Sequence, residues 1–349
     1  MEQLIKKYSP IVYINSEEKY LPCSIDWMLK YSTLVDFNTN TKIKSPSHRD
    51  LYNIAQKYNF QRRGDGDVIL SYDSDVYRGQ TPLSDVPVYA FSRETPDSIY
   101  ITYMILLAYN GSYDIAGLAQ LGEHPGDLES MTIECSKDGK LKRVFFGAHG
   151  YKDGRWVDVS LVELENDHIV CYMAFSGHGL YYKPGQVFRF GGFANDEVNR
   201  GIRWSPSVST IYYRDDPKFN IDTMGWTTFN SRIGGGQDKP NTDGIMGLSD
   251  KPWFTNGTNP DESYYNPPPI VSSVKTYNTF IEFLKLGIIY ISILLVRFIM
   301  EKYVFNKYLS SGSTKEYILQ NIIILIILLI LYNTFLKSGS YIILNYIPV

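Results

Sequence analysis

Cysteine is nearly missing from this chain: three residues in 349, at Cys23, Cys135 and Cys171, in no paired motif. That excludes a disulfide framework and any Cys-x-x-Cys metal knuckle or redox pair. Histidine is scarce as well, at five residues. Neither sign of charge dominates, because 34 Lys and Arg face 37 Asp and Glu for a net −3. With no basic run either, a nucleic-acid partner is not expected. No Gly-x-Ser-x-Gly elbow, Gly-Lys-Ser/Thr phosphate loop or His-Glu-x-x-His helix occurs, so the sequence leans away from an enzyme. The first residues, Met1 to Tyr8, carry no apolar h-region, and no secretory leader is expected there.

Long hydrophobic runs, by contrast, are present near the C-terminus. Tyr317 to Leu336 is almost unbroken hydrocarbon, centred on Ile322 to Leu331. Twenty helical residues rise about 30 Å, the thickness of a bilayer core. Phe280 to Met300 is a weaker run, preceded by Glu282 and Lys285 and interrupted by Arg297, whose long side chain can snorkel to the headgroups. The reading is a transmembrane helical hairpin within 276–349, with spans near 280–300 and 317–336. One span plus an interfacial amphipathic helix is the alternative. Lys302, Lys307 and Lys315 balance Lys275, Lys285 and Lys337, so loop charge leaves the orientation open. A large leaderless domain ahead of late spans is expected on the cytosolic side of its membrane.

Residues 1–228 read as an antiparallel β-sandwich with few short helices. Short β-branched and aromatic runs recur at Ile11–Ile14, Val68–Tyr72, Pro87–Phe91, Ser98–Ala108, Ser130–Cys135, Arg143–Phe146, Trp156–Val162, Ile169–Phe175 and Gln186–Phe190. Asp138-Gly139 is a hairpin signal between two of them. Helices are expected over Cys23–Tyr31, capped by Ser24, and over Ser47–Tyr58, with Ser47 and Asp50 at its start. Residues 229–275, rich in Gly, Pro and Asn, read as a surface wrap and a polyproline spacer, pinned by Trp226, Trp253 and Phe254.

The densest polar group is Gly122-Glu-His-Pro-Gly-Asp-Leu-Glu129. If Asp127 opens a strand, period 2 places Asp127, Glu129, Met131, Ile133 and Cys135 on one face. Two carboxylates then begin a core-facing row, and buried charge needs a partner. His149 and His178 each follow an expected strand and can converge on that end. Two carboxylates plus imidazoles suit a divalent cation, Ca, Mg or Zn. The candidate cation ligands are Asp127, Glu129, His149 and His178, and His124 joins them in the candidate ligand pocket. Arg189, Arg200 and Arg203 are the structural competitors, as counter-ions for the same acids, while His48 and His168 read as surface residues.

Several blocks in order resemble a known family. Tyr8-Ser-Pro-Ile-Val-Tyr13, Glu18-Lys-Tyr-Leu-Pro22 and Ser24-Ile-Asp-Trp27 are followed by Pro87–Phe91, Ile99–Tyr103 and Ala108-Tyr-Asn110. With Gly122–Glu129, Phe146–His149 and Ser176-Gly-His-Gly179, they are similar to the vacuolar protein sorting-associated protein 62 family over roughly residues 7 to 205. The resemblance implies a β-rich domain with a trafficking association. The Asp-x-Glu block also resembles the His-Asp-Trp-Glu stretch of necrosis-inducing cytolysins. Those are β-sandwiches whose acids and histidines surround a divalent cation used in recognising membrane sphingolipid. Here Leu128 stands where that stretch has Trp, and His124 lies three residues before Asp127.

The leading expectation is a membrane-anchored, non-enzymatic module that recognises a lipid headgroup, glycan or protein. The lipid bilayer would be its partner through the C-terminal segments. The alternatives are a structural membrane component, for example of a large DNA virus virion, and a metal-assisted hydrolase using one of the same carboxylates as general base.

Overall fold

The computed structural model describes residues 1–115, 119–149, 154–187, 195–251 and 254. The expected spans at 280–300 and 317–336, Arg189 and Trp253 lie outside the described residues. Among those described, no helix is long and apolar enough to cross a membrane.

Helix α1 (Glu2–Lys7) leads into β1 (Pro10–Ile14), and α2 (Ile25–Lys30) into the hairpin of β2 (Thr33–Asp36) and β3 (Thr41–Lys44). Helix α3 (His48–Lys57) precedes β4 (Val68–Ser71), β5 (Val88–Glu94) and the long β6 (Ser98–Asn110). A small hairpin, β7 (Tyr113–Ile115) and β8 (Ala119–Leu121), turns the chain back into β9 (His124–Ser136). Next come β10 (Leu141–Phe146), β11 (Arg155–Asp158), β12 (Leu164–Glu165), β13 (His168–Met173) and β14 (Leu180–Tyr181). The last strands are β15 (Gly185–Val187), β16 (Asp196–Val198), β17 (Ile202–Trp204), β18 (Val208–Thr210), β19 (Arg232–Ile233) and β20 (Ile245–Met246).

Both expected helices form, and their caps explain where they start. The Ser24 side chain accepts from the Trp27 amide. Ser47 and Asp50 form a reciprocal capping box, which satisfies two amides that a helix start leaves unpaired. The Asp138-Gly139 turn closes the β9–β10 hairpin, with Gly139 at φ 83°, a conformation that favours glycine.

The central sheet runs β11-β10-β9-β6-β5-β18 and is covered on both faces. On one side lies the sheet β12-β13-β1-β17, and on the other the sheet β20-β19-β4-β2-β3 with helices α2 and α3. Strand β6 shows why. Ile99, Ile101, Tyr103, Ile105 and Leu107 enter one core, while Met104, Leu106 and Ala108 enter the other. A strand apolar at every position has no face to give to water, so it needs a layer on each side. The expected sandwich is therefore mainly β as read, but it has three sheet layers and its sheets are mixed. Strand β1 runs parallel to β13, β18 to β5 and β19 to β4. Parallel neighbours need long crossovers, so they leave no hairpin signature in the sequence. Part of the Gly- and Pro-rich stretch expected as a wrap is β19 and β20, which extend the β4 sheet, and Trp226 and Phe254 are buried in the core beneath it.

The row expected along β9 is present. Leu107 pairs with Asp127 and Ile105 with Glu129, so both acids share the face that continues into Met131, Ile133 and Cys135. Replacing Ile133, fully buried at the centre of that row, should lower stability by about 2–5 kcal/mol for Ile133→Ala. Urea unfolding of the full chain checks this; a change below about 1 kcal/mol would mean that the row does not face the core.

Candidate functional site

Hydrocarbon gives way to charge at the N-terminal end of β9. The segment Ser176–Gly179, which joins β13 to β14, crosses over that end and brings His178 to Asp127. His178 is fully buried with φ 56°. Its Nδ1 lies 3.0 Å from Asp127 Oδ2 and its Nε2 3.6 Å from Glu18 Oε2. The second distance exceeds a hydrogen bond, and Nε2 has no other partner among the described residues. Glu18 is held by backbone amides: Oε1 accepts from Lys19 (2.8 Å) and Tyr20 (2.9 Å), and Oε2 from Ser176 (2.6 Å).

Burial opposes every charge in this cluster, and the partners decide which survive. Burial alone would lower the His178 pKa; the Asp127 and Glu18 carboxylates outweigh it and raise it to about 10. Burial would raise Glu18 and Asp127, yet the imidazolium and nearby backbone amides hold both below the usual carboxylate range. Glu129 goes the other way. Burial, reinforced by the charge of Asp127, pushes its carboxyl well above the ordinary value. Among the described residues Glu129 has no hydrogen-bond partner, although it is 6% exposed. Half-buried Lys251 is near enough to feel both Asp127 and Glu129, and burial depresses its pKa.

His149 belongs to a second centre. Asp196 is fully buried and takes three partners: Tyr113 donates to Oδ1 (2.9 Å), His149 Nε2 lies 2.8 Å from Oδ2, and the Tyr181 hydroxyl donates to Oδ2. Glycines wedge the two centres together. A Cβ on Gly177 would meet the Tyr113 hydroxyl at 1.7 Å and His149 Cε1 at 3.1 Å, and one on Gly179 would meet His149 Nε2 at 3.4 Å. At position 177 only glycine lets the segment pass this close to Tyr113 and His149.

The expected residues are thus gathered at one end of the central sheet, but not as one shell. Asp127 and His178 pair directly, Glu129 stands beside them, and His149 turns to Asp196. His124 bonds within its own turn, Nδ1 to the Gly126 carbonyl at 2.8 Å. Among the described residues no group of three or more His, Cys, Asp and Glu is arranged to hold a metal ion. His178 Nδ1 is taken up by Asp127, while its Nε2 has no hydrogen-bond partner among the described residues.

Two of the three arginines expected as counter-ions pair elsewhere, Arg200 with Glu163 and Arg203 with Glu165, and Arg189 lies outside the described residues. His48, expected at the surface, is buried against Asp26 at 2.7 Å, and His168 is half-buried against Ser9. Sequence reasoning missed Glu18, Tyr113, Ser176 and Asp196 as site residues. Glu18 stands in one of the blocks that carry the resemblance, which was its only signal. Asp196 has none, because its partners arrive from two separate strands and the turn after β10.

The vacuolar protein sorting-associated protein 62 family model matches residues 1–223, a stretch that contains every acid and histidine of both centres. The chain belongs to this family. No curated relative matches. Similar solved structures include necrosis and ethylene inducing protein 2 from the causal agent of cocoa's witches' broom disease. It is 12% identical, with 59% of this chain and 72% of that one covered, at a TM-score of 0.31. NLPPya in complex with mannosamine is 9% identical, with 60% and 71% covered, at 0.32. The non-toxic HaNLP3 protein is 8% identical, with 60% and 74% covered, at 0.32. Likeness at this level carries nothing about the site of this family member.

The His178 pairing sets an alkaline limit on stability. A pKa raised from 6.5 unfolded to about 10 folded contributes fully below about pH 6.5 and is lost as pH rises through 10. Unfolding free energy should fall between those limits by up to ~1.4 kcal/mol per pH unit. His178→Gln should flatten that slope in urea titrations from pH 6 to 10; an unchanged slope would remove the imidazolium.

Proposed function

We propose that this chain is a membrane-tethered recognition module, not an enzyme, and that it binds a hydroxyl-rich ligand, a glycan, at the Asp127–Glu129 end of the central sheet. The tether is the hydrophobic hairpin expected over 280–300 and 317–336, with the β domain on the cytosolic side. A tether raises effective concentration at the membrane, so each contact can be weak.

One observation carries this reading: Glu129, only 6% exposed and beside the Asp127–His178 pair, is a carboxyl that burial and the Asp127 charge push well above its ordinary value. Such a group costs stability where it stands. Its neighbour Asp127 already spends its bonds on His178 Nδ1 and the Leu128 amide. A protonated carboxyl both donates and accepts, and this is what paired sugar hydroxyls require.

The split between a raised Glu129 and a depressed Asp127 also favours a second reading, a hydrolase, since two carboxyls with separated pKa values are an acid and base pair. Turnover separates the two. Bound saccharide should be recovered intact under the recognition reading and cleaved under the other.

Glu129→Leu tests the binding site without emptying the space. The apolar replacement should stabilise the fold by about 1–3 kcal/mol, because a carboxyl that burial and the Asp127 charge disfavour is removed. It should also weaken binding of saccharides selected on a glycan array by at least roughly tenfold in calorimetric titration of the full chain. Lost stability together with unchanged binding would make Glu129 a structural residue and end this reading. The same titrations in EDTA, and with Ca, Mg or Zn restored, read out the contribution of a divalent cation.

A further inference from the structure

Next to the carboxyl site, three tyrosines from separate segments form one surface. Tyr77, from the turn Ser74–Arg78, stacks on Tyr109 at the end of β6 with ring centroids 4.1 Å apart. Tyr20 meets Tyr109 edge-on at 4.8 Å. All three are half-buried, so each ring keeps part of its surface in water. Tyr20 is fixed to the neighbouring site, because its amide donates to Glu18 and a Cβ on Gly111 would meet both its ring and Ser176 Oγ.

The charges that act on the Tyr77 and Tyr109 hydroxyls are carboxylates. Asp73, Glu123 and Asp243, all exposed, act on the Tyr77 hydroxyl, and Glu123 lies against that of Tyr109. No basic group is among the charges that act on either. Elsewhere the chain covers tyrosine rings with its own cations: Lys7 over Tyr8 at 4.9 Å, Arg63 over Tyr58 at 4.2 Å and Arg200 over Tyr13 at 5.0 Å. Among the described residues no Lys or Arg lies over Tyr20, Tyr77 or Tyr109. Electron-rich ring faces bordered by uncompensated carboxylates attract a cation from both directions, and a weakly hydrated organic cation loses least on leaving water. An anion would be repelled, and a neutral apolar partner would strip water from the acids without offsetting that cost.

We propose that this tyrosine face is a second binding site, one that takes an ammonium group, either free or on a lipid headgroup. It stands on its own residues and does not require the carboxyl site.

The probe is choline, titrated into the full chain in amphipol and followed by saturation-transfer NMR. Choline should bind, and its neutral isostere 3,3-dimethylbutan-1-ol should bind at least fivefold more weakly. Tyr109→Leu should weaken choline roughly tenfold. Should that variant unfold, Glu123→Gln with Asp243→Asn, at exposed positions, should still weaken choline several-fold with the unfolding midpoint unchanged. Vesicle flotation assigns the source: a preference for phosphatidylcholine over phosphatidylglycerol marks a lipid headgroup, and binding of choline without that preference marks a free amine. Failure of both probes, equal binding of choline and its isostere, or full affinity in the double-acid variant overturns the proposal. Choline binding without saccharide binding removes the carboxyl site alone, and the reverse removes the tyrosine face alone.

Discussion

Taking two carboxylates out of water at the end of an otherwise hydrocarbon strand is possible only if a cation goes with them, and here the cation is the imidazolium of His178. It joins Glu18, from the loop after β1, to Asp127, at the start of β9, while sitting on the segment between β13 and β14. Three stretches remote in sequence are therefore fixed to one another by one ring. The geometry is asymmetric, with one hydrogen bond of 3.0 Å and one contact of 3.6 Å. The longer contact is tolerable because Glu18 is already satisfied by three backbone amides. Removing one member of such a group leaves a buried charge without its partner, which costs far more than the pair contributes.

Around that trio the site grades from spent to unspent polar groups. Asp196 is saturated by Tyr113, His149 and Tyr181. Asp127 has its imidazolium and the Leu128 amide. Glu129 stands next to Asp127, and burial together with that charge pushes its carboxyl well above the ordinary value. The fold thus holds Glu129 beside an imidazole with one nitrogen bonded and one not, and beside the multiply bonded Asp196. The tyrosine face next to it is left in a comparable state, its rings uncovered by any basic side chain of the described residues.

Much of the frame was legible in the sequence because local rules decided it. Period 2 along 127–135 gave the right face of β9, the Ser47 and Asp50 pair gave a helix start, and Asp138-Gly139 gave a hairpin. The third layer and the parallel pairs were not legible, since a strand buried on both sides shows no alternation and a parallel neighbour leaves no turn. At the site, the convergence of Asp127 with His178 followed from strand ends meeting. The division of labour between His178 and His149 did not, because Glu18 and Asp196 reach the site through tertiary contacts alone. His48 was misread for the same reason: nothing near it in the sequence shows that helix α3 turns that position against Asp26.

The parallel pairing of β1 with β13 bears on how the polypeptide is made. Pro10 finds its sheet partner Ile169 only about 160 residues later, which at ribosomal speed takes on the order of 8–30 seconds. For all that time a wholly apolar edge, Pro10 to Ile14, waits without its neighbour. A chain built this way completes the covering sheet β12-β13-β1-β17 late, and until then its nascent N-terminus offers an unpaired edge to other chains.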